Sequence, residues 1–291
     1  MTPRRIAFTT DYGLRDGFVA ACHGVIGRIG PDLRVSDVTH LVPPQDVRAG
    51  ALVLARTVPY LPSSVHLAVV DPGVGTARRG VVLVTPGGLL VGPDNGLLPP
   101  AAEALGGVQA AYQLTSPRFR LPEVSATFHG RDVFAPAAAH LALGVPPAEF
   151  GAGVDELVRL PEPAVSVRPG ELTAEVTDVD TFGNIALAAN REDLDAAGLS
   201  RSMTVHYGRS ALAATLGRTF ADAAPGEAVV YVDSAGAVAV AVNLGSAARA
   251  LGYSSDSPQE LTITSSPTDS FPGRSTANFT PNATPPSAAR R

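Results

Sequence analysis

Two aspartates of this 291-residue chain stand where short apolar runs end, which is a position suited to ligand binding. Asp11 lies within Thr9-Thr-Asp-Tyr-Gly-Leu-Arg-Asp16, and Asp71 opens the segment Asp-Pro-Gly-Val-Gly-Thr. A carboxylate at a strand tip accepts charge-assisted hydrogen bonds of about 1.5–3 kcal/mol each, for example from a ribose diol. Both also have a structural explanation, because aspartate is common in turns, and Asp16 is a candidate helix N-cap.

An arginine and a histidine add possible acid–base chemistry to these carboxylates. Arg78 or Arg79 can return across the glycine-containing turn to pair with Asp71, although an exposed pair of this kind is worth only about 0–1 kcal/mol. His129 stands in Thr127-Phe-His-Gly-Arg-Asp132, just before a predicted helix for which Asp132 is a candidate cap. A loop histidine can hold or deprotonate water near neutral pH, but taken alone it is more often an ordinary hydrogen-bonded residue. The other histidines are expected to be structural: His23, His40, His66, His140 and His206.

The second half of the chain carries polar turn segments. In Asp178-Val-Asp-Thr-Phe-Gly-Asn184, the Asn184 side chain can read an adenine edge with its donor and its acceptor, and Asp180 can hold an ammonium group. An aspartate- and asparagine-rich hairpin turn explains the same residues equally simply. The segments around Ser234 and Leu244 are, on their own, only turn chemistry.

The elements that must position these residues fall into two patterns. Residues 1–160 alternate strands with helices, which predicts an N-terminal α/β domain with a mostly parallel sheet and a ligand site beyond the carboxyl ends of its strands. Residues 170–264 contain short strands and turns, which predict a smaller C-terminal β-barrel-like domain, with one helix over 191–197 capped by Asn190. The proline-rich segment 161–169 is predicted as a linker, and the Ser/Thr/Pro-rich residues 265–291 as a disordered tail.

Predicted bounds of the elements follow from the runs of apolar residues. In the first domain we expect strands at 6–10, 34–38, 65–70 and 81–85, and helices at 17–29, 46–58 and 131–143. In the second we expect strands at 172–179, 185–189, 203–207, 228–232, 238–242 and 260–264.

Composition narrows the class of protein further. The formal net charge is −5, which does not favour a nucleic-acid partner. The single cysteine, Cys22, lies in an apolar stretch and is expected to fill the core. No secretory leader and no apolar run of membrane-spanning length are visible, so a cytoplasmic protein without a membrane partner is expected. Phosphate-binding glycine loops, zinc-ligand spacings and the Gly-x-Ser-x-Gly elbow are absent from the sequence, and no metal or cofactor is expected.

Seven motifs in a fixed order resemble the SAM hydroxide adenosyltransferases, the adenosine-forming hydrolases of S-adenosyl-L-methionine (SAM) that are related to fluorinases and chlorinases. The resemblance covers residues 5 to 264. The motifs are Phe8-Thr-Thr-Asp-Tyr-Gly13, Asp37-Val-Thr-His40 with Asp46-Val-Arg-Ala-Gly50, Val70-Asp-Pro-Gly-Val-Gly-Thr76, Gly92-Pro-Asp-Asn-Gly-Leu97, Phe128-His-Gly-Arg-Asp132, Phe182-Gly-Asn184 and Asn243 to Ser246.

The resemblance implies the conversion of SAM and water to adenosine and methionine, in a homotrimer whose active sites lie between the N-terminal domain of one subunit and the C-terminal domain of the next. It implies that Asp71, Arg78 and His129 hold the attacking water. The matched substrate-binding positions are Asp11 for the ribose diol, Asp16 and Asp180 near the methionine ammonium, Ser234 at the carboxylate, and Asn184 and the Leu244 backbone at adenine.

Two other functions fit parts of this pattern. A SAM-dependent halogenase would attack the same carbon with chloride or fluoride, but the carboxylate of Asp71 repels a halide and Gly130 supplies no hydroxyl. A SAM or nucleoside sensor without catalysis would keep Asp11, Asp180 and Asn184 and would have no need of the Asp71, Arg78 and His129 set.

Overall fold

The structure, a computed structural model, describes residues 4–254 and 260–266, and its first half is built on a six-stranded sheet. The strands are β1 (Arg5–Thr10), β2 (Arg34–Thr39), β3 (Val65–Val69), β4 (Gly80–Thr85), β5 (Gly88–Pro93) and β6 (Ala110–Gln113), in the order β2-β1-β3-β5-β4-β6. The pairs β1–β2, β1–β3 and β3–β5 are parallel, and β4 is antiparallel to both β5 and β6. The predicted α/β class with a mostly parallel sheet is confirmed, and β5 and β6 are additions to the four predicted strands.

Helices cover both faces of this sheet. They are α1 (Phe18–Ile29), α2 (Val47–Thr57), α3 (Pro99–Ala104) and α4 (Ala135–Ala142). Asp46 caps α2 by accepting a hydrogen bond from the Ala49 N–H at 2.9 Å. The N-cap position of α1 is Gly17, which supplies no side-chain cap, so the alternative explanation of Asp16 as a cap is wrong. A π-helical turn, Gly130–Phe134, precedes α4, so the predicted helix over 131–143 is two elements.

Two apolar cores lie against the two faces of the sheet. One surrounds Phe8 and Phe134, and the other surrounds Leu54 and Val70. Because both faces are covered, the central strands β1 and β3 are buried almost throughout, including their polar residues Thr9, Thr10 and His66. Cys22 lies fully buried in the first core, and burial raises the pKa of its thiol to about 12, as expected for a residue that only packs.

The second half is a closed β-barrel. Its strands are β7 (Val165–Arg168), β8 (Glu171–Val179), β9 (Ile185–Asn190), β10 (Ser202–Tyr207), β11 (Ser210–Leu216), β12 (Ala228–Val232), β13 (Ala237–Val242) and β14 (Glu260–Ser265). Pairing of β14 with both β8 and β10 closes seven of them into the predicted barrel. Helix α5 (Arg191–Ala197) starts at the capping box of Asn190 as predicted, and a short α6 (Ala247–Leu251) follows β13.

Strand β7 lies within the segment 161–169 that the sequence analysis predicts as a linker. Val165 and Val167 pair with Ala174 and Leu172, because β9 covers only the later part of β8 and leaves this stretch of its edge open. The predicted disordered tail lies outside the described residues from position 267 onward. Among the helices that the structure describes, none combines the length and the apolar character required to cross a lipid bilayer.

Candidate active site

Three charged or polar side chains converge at the carboxyl end of the parallel strands. Arg78 donates two hydrogen bonds to the carboxylate of Asp71, from Nε to Oδ1 at 3.0 Å and from Nη2 to Oδ2 at 2.5 Å. The same Nη2 lies 3.2 Å from Nδ1 of His129. We call Asp71, Arg78 and His129 the N-terminal cluster. The convergence expected for these residues, which span 58 positions of the sequence, is present in the structure.

The loop from Asp71 to Arg78 folds back on itself through turn hydrogen bonds, so that its two ends lie close together. The N–H of Val74 donates to the carbonyl of Asp71, and the Arg78 N–H donates to the hydroxyl of Thr76. Gly75 has a φ of +77°, and a Cβ there would lie 2.5 Å from the carbonyl oxygen of Ala126. Only glycine therefore lets this loop approach the segment that leads to His129.

Burial and charge set the protonation of the cluster. The side chains of Asp71 and Arg78 are only 6% and 9% exposed. Burial raises the pKa of Asp71, the bidentate Arg78 opposes that rise, and Asp11 adds to it. Burial and the neighbouring Arg78 lower the pKa of His129, so this imidazole is neutral at pH 7.

The tautomer of His129 follows from its partner. Arginine has only donors, so Nδ1 of His129 accepts from Arg78 and its Nε2 carries the proton. The cluster thus presents N–H groups from two residues beside a carboxylate, and such a set can hold a solvent oxygen.

Asp132 positions the His129 segment from within the core. Its fully buried carboxylate accepts from the Ser125 N–H at 2.8 Å and pairs with Arg131 at 2.6 Å. It makes no capping bond to the helix that follows, so the predicted cap is wrong. The reason is that the turn there is π-helical, and the carboxylate points to the preceding loop, which it holds under His129.

Asp11 lies beside the cluster and is held by an unusual backbone. The N–H of Gln45 donates to its Oδ2 at 2.8 Å, and Gln45 has a φ of +66°. A left-handed conformation is costly for a residue with a side chain, and such outliers concentrate at functional sites. Asp16 follows in the same β1–α1 loop and is exposed.

Tyr12 is a site residue that the sequence analysis did not single out. Burial raises the pKa of its hydroxyl, and the charges of Asp11 and Asp71 add to the effect, so the phenol stays protonated. A Cβ on Gly130 would lie 1.9 Å from that hydroxyl, which requires glycine next to His129. The position directly after Asp11 was the only sequence signal for Tyr12.

The predicted residues of the second half line a separate cleft of about 1410 Å³, which we call the C-terminal cleft. Asp180, Asn184, Ser234 and Leu244 all contribute to it. Asp180 accepts from the backbone N–H groups of Phe182 and Asn184 at 2.9 Å, and from the Asn184 amide at 2.7 Å. The structure therefore shows the hairpin turn, which fixes the orientation of the Asn184 amide at the cleft.

Several lining residues of this cleft were missed by the sequence analysis. Arg56 reaches in from α2 and donates to Asp178 at 3.1 Å, and its other nitrogen is 3.9 Å from Asp233. Phe182 and Leu244 are 77% and 89% exposed at the cleft, and Leu244 has a φ of +57°. Phe182 belongs to the Phe182-Gly-Asn184 motif, but Arg56 has no sequence signal, because its partners lie 122 and 177 positions away.

The two halves of the predicted site are apart within one chain. The residues that line the C-terminal cleft include α2 residues and none of the N-terminal cluster. Helix α2 separates them: Asp46, next to Gln45, caps its start, whereas Arg56 in its last turn reaches the cleft. Eleven residues of α-helix span about 16 Å.

Both halves of the chain match the family that its motifs resemble. Residues 6–151 match the N-terminal domain of SAM hydroxide adenosyltransferases, and residues 174–260 match their C-terminal domain. The chain belongs to this family.

Similar proteins include hydrolases and a halogenating enzyme. An (R)-S-adenosyl-L-methionine hydrolase from Salinispora arenicola is 62% identical over 84% of this chain and 93% of its own length. A fluorinase from an Actinoplanes species is 32% identical over 89% of this chain and 96% of its own. The structure of an uncharacterized conserved protein from Thermotoga maritima superposes with a TM-score of 0.81 at 36% identity, covering 89% of this chain and 99% of that one.

Proposed function

We propose that this protein hydrolyses SAM to adenosine and L-methionine. The observation that carries the proposal is the convergence of Asp71, Arg78 and His129 at the strand tips of a chain with the family's two domains. The 62% identity to a SAM hydrolase supports the same reaction over the halogenation carried out by the fluorinase relatives.

The reaction forms one bond and breaks one bond at C5′ of the substrate. A water oxygen attacks C5′ in line with the C5′–S bond, the bonding pair leaves with sulfur as the neutral thioether of methionine, and the water gives up one proton. The sulfonium is already an excellent leaving group, so the reaction needs no metal or cofactor. The protein's task is to position the oxygen, which can lower a barrier by about 7–11 kcal/mol.

In this proposal the N-terminal cluster holds that oxygen. Arg78 and the Nε2–H of His129 donate to it, and Asp71 keeps Arg78 aimed through two hydrogen bonds. Asp71 also receives the proton, since burial raises its pKa above that of an ordinary carboxylate and makes it a better base. The same negative charge disfavours a halide in the position of the water.

The substrate-binding roles follow the matched positions. Asp11 binds the ribose diol with the carboxylate oxygen that Gln45 leaves open, and Asn184 reads adenine with the amide that Asp180 orients. The Leu244 backbone adds a second adenine contact. Asp16 and Asp180 lie near the methionine ammonium, and Ser234 lies at its carboxylate.

A homotrimer joins the two halves. Within one chain α2 lies between the N-terminal cluster and the C-terminal cleft, so a complete site requires the cleft of a neighbouring subunit. Exposed apolar residues occur on both halves, at Leu14 and Leu41 near Asp11 and at Phe182 and Leu244 on the cleft, and a subunit interface would cover them. We place the reaction in the cytoplasm, where the lone Cys22 stays reduced.

Product analysis tests the proposed function. Purified protein is incubated with SAM in buffers with and without chloride or fluoride, and the products are separated by chromatography with mass detection. We expect adenosine and methionine in equal amounts in every buffer. A 5′-halo-5′-deoxyadenosine would establish a halogenase instead, and binding of SAM without any product would establish a sensor.

A further inference from the structure

Outside the proposed active site, three side chains from separate elements meet at the edge of the first sheet. His23 on α1 places its Nε2 2.9 Å from Oδ1 of Asp37 on β2, and Nε2 of His40, just after β2, lies 3.1 Å from the same oxygen. The three atoms all lie within 4.8 Å of one another. Two imidazoles and one carboxylate are a donor set suited to a divalent transition metal.

His40 supplies an independent sign that a ligand belongs here. Its side chain is 3% exposed, and in the described part of the chain its buried Nε2 has no hydrogen-bond partner, since Asp37 is near but off the direction that a hydrogen bond needs. A buried nitrogen without a partner is costly unless something else satisfies it. The other ring nitrogen, Nδ1, is 2.8 Å from the hydroxyl of Thr10.

The two distances from Asp37 to the histidines are compatible with tetrahedral coordination, and the two histidine nitrogens lie within 4.8 Å of each other. Zinc–nitrogen and zinc–oxygen bonds of 2.0–2.2 Å place neighbouring ligand atoms about 3.3 Å apart, and the two measured contacts are slightly shorter than this. With Nδ1–H of His40 donating to Thr10, Nε2 presents its lone pair, which is the usual outer support of a metal-bound histidine. The side chains of His23 and Asp37 are about one-third and two-fifths exposed, so a metal ion and a water ligand can enter from solvent.

We propose that His23, Asp37 and His40 form a binding site for zinc or a similar divalent transition metal, with water as the fourth ligand. The site is structural, because the reaction proposed above does not use it. It joins α1 to β2. The turn that carries Asp11 is held by hydrogen bonds that do not depend on the metal, since the carbonyl of His40 accepts from the Gly13 N–H at 2.7 Å and the Thr10 hydroxyl bonds to the His40 ring. Binding needs neutral imidazoles and weakens in acid.

Metal binding to the full-length protein, freed of metal with a chelator, tests this site. Zn²⁺ is titrated by calorimetry, Co²⁺ is added separately to detect the absorption of a tetrahedral site, and thermal unfolding is followed with and without Zn²⁺. We expect about one ion per chain and, at saturating Zn²⁺, a rise in Tm of about 5 °C or more. Mg²⁺, which prefers all-oxygen sites, should have no effect.

Matched variants separate this site from incidental binding. His23→Gln and Asp37→Asn are at partly exposed positions, and they should lose the bound ion and the Tm rise while SAM turnover stays within about twofold of wild type. His206→Gln removes a histidine of the barrel, hydrogen-bonded to Thr264, and should keep both. Absence of Zn²⁺ binding in the wild type, or binding that persists undiminished in His23→Gln and Asp37→Asn, overturns the proposal whatever the products from SAM prove to be.

Discussion

Replacing Asp71 with asparagine removes the anchor of the N-terminal cluster without changing its size. The carboxylate accepts two hydrogen bonds from Arg78, at 3.0 and 2.5 Å, whereas the amide keeps one acceptor and turns an NH₂ group toward an arginine N–H. Charge-assisted bonds contribute about 1.5–3 kcal/mol each, and breaking a buried ion pair costs about 3–5 kcal/mol. The guanidinium of Arg78 is then no longer held in the orientation in which it donates to the attacking oxygen and to His129.

The decrease in kcat of Asp71→Asn can be estimated from the displacement of one donor, the N–H of Arg78. Removing one preorganised donor from a reacting oxygen costs about 2.7–4 kcal/mol, or about 10²- to 10³-fold in turnover. The proposed basic group is lost as well, so we expect Asp71→Asn to lower kcat at least 10²-fold. SAM binding should change little, since the proposed substrate contacts are made by other residues. Adenosine release measured by chromatography gives kcat, and calorimetry gives the Kd for SAM.

Asp94→Asn is the matched control. Asp94 is equally buried and pairs with Arg79, the residue next to Arg78, but its other oxygen accepts from the Val158 N–H and its pair does not touch His129. This variant should lose comparable thermal stability and keep most turnover at a temperature where it is folded. The reasoning is refuted if Asp71→Asn turns over SAM at the wild-type rate, or if folded Asp94→Asn loses as much activity as Asp71→Asn.

Two further predictions follow from the same geometry. Activity requires ionised Asp71 and neutral His129, and both are lost as pH falls. Because burial raises the pKa of Asp71, the acid limb of kcat/KM should lie above the pKa of an ordinary aspartate, and a midpoint at or below that ordinary value would contradict the assignment. If each site joins two subunits, mixed trimers of inactive Asp71→Asn and Asn184→Ala chains should regain activity. An intact site forms in one of the four random pairings of neighbouring chains, so about a quarter of wild-type turnover is expected, whereas sites within single chains would give no recovery.

The sequence was sufficient to predict the two-part architecture and the meeting of Asp11 and Asp71, because parallel strands end at one edge of a sheet; the place of Arg78 and His129 beside Asp71 was implied by the family resemblance. Apolar runs located β1 to β4, and the strand tips then brought Asp11 and Asp71 together. Strand β11 has the sequence Ser-Ala-Leu-Ala-Ala-Thr-Leu, which has no strand signal of its own. It is a strand because β10 and β12 pair with it, so tertiary context overrides local propensity there.

Features that depend on contacts between distant elements could not be predicted. Gly130 must be glycine because the Tyr12 hydroxyl lies against it, and the two are 118 positions apart in the sequence. From the sequence His23 and His40 are expected to be structural, because their spacing along the chain, with Asp37 between them, matches no metal motif. Only the packing of α1 beside β2 brings these ligands within reach of one another.

The origin of the 5′-oxygen of the product tests the central claim most directly. Turnover of SAM in oxygen-18 water, followed by mass spectrometry of the nucleoside, should place one heavy oxygen in the 5′-hydroxyl of adenosine and none in methionine. Label in the methionine, or a nucleoside product whose 5′ position carries no solvent oxygen, would contradict attack by a water held at Arg78 and His129.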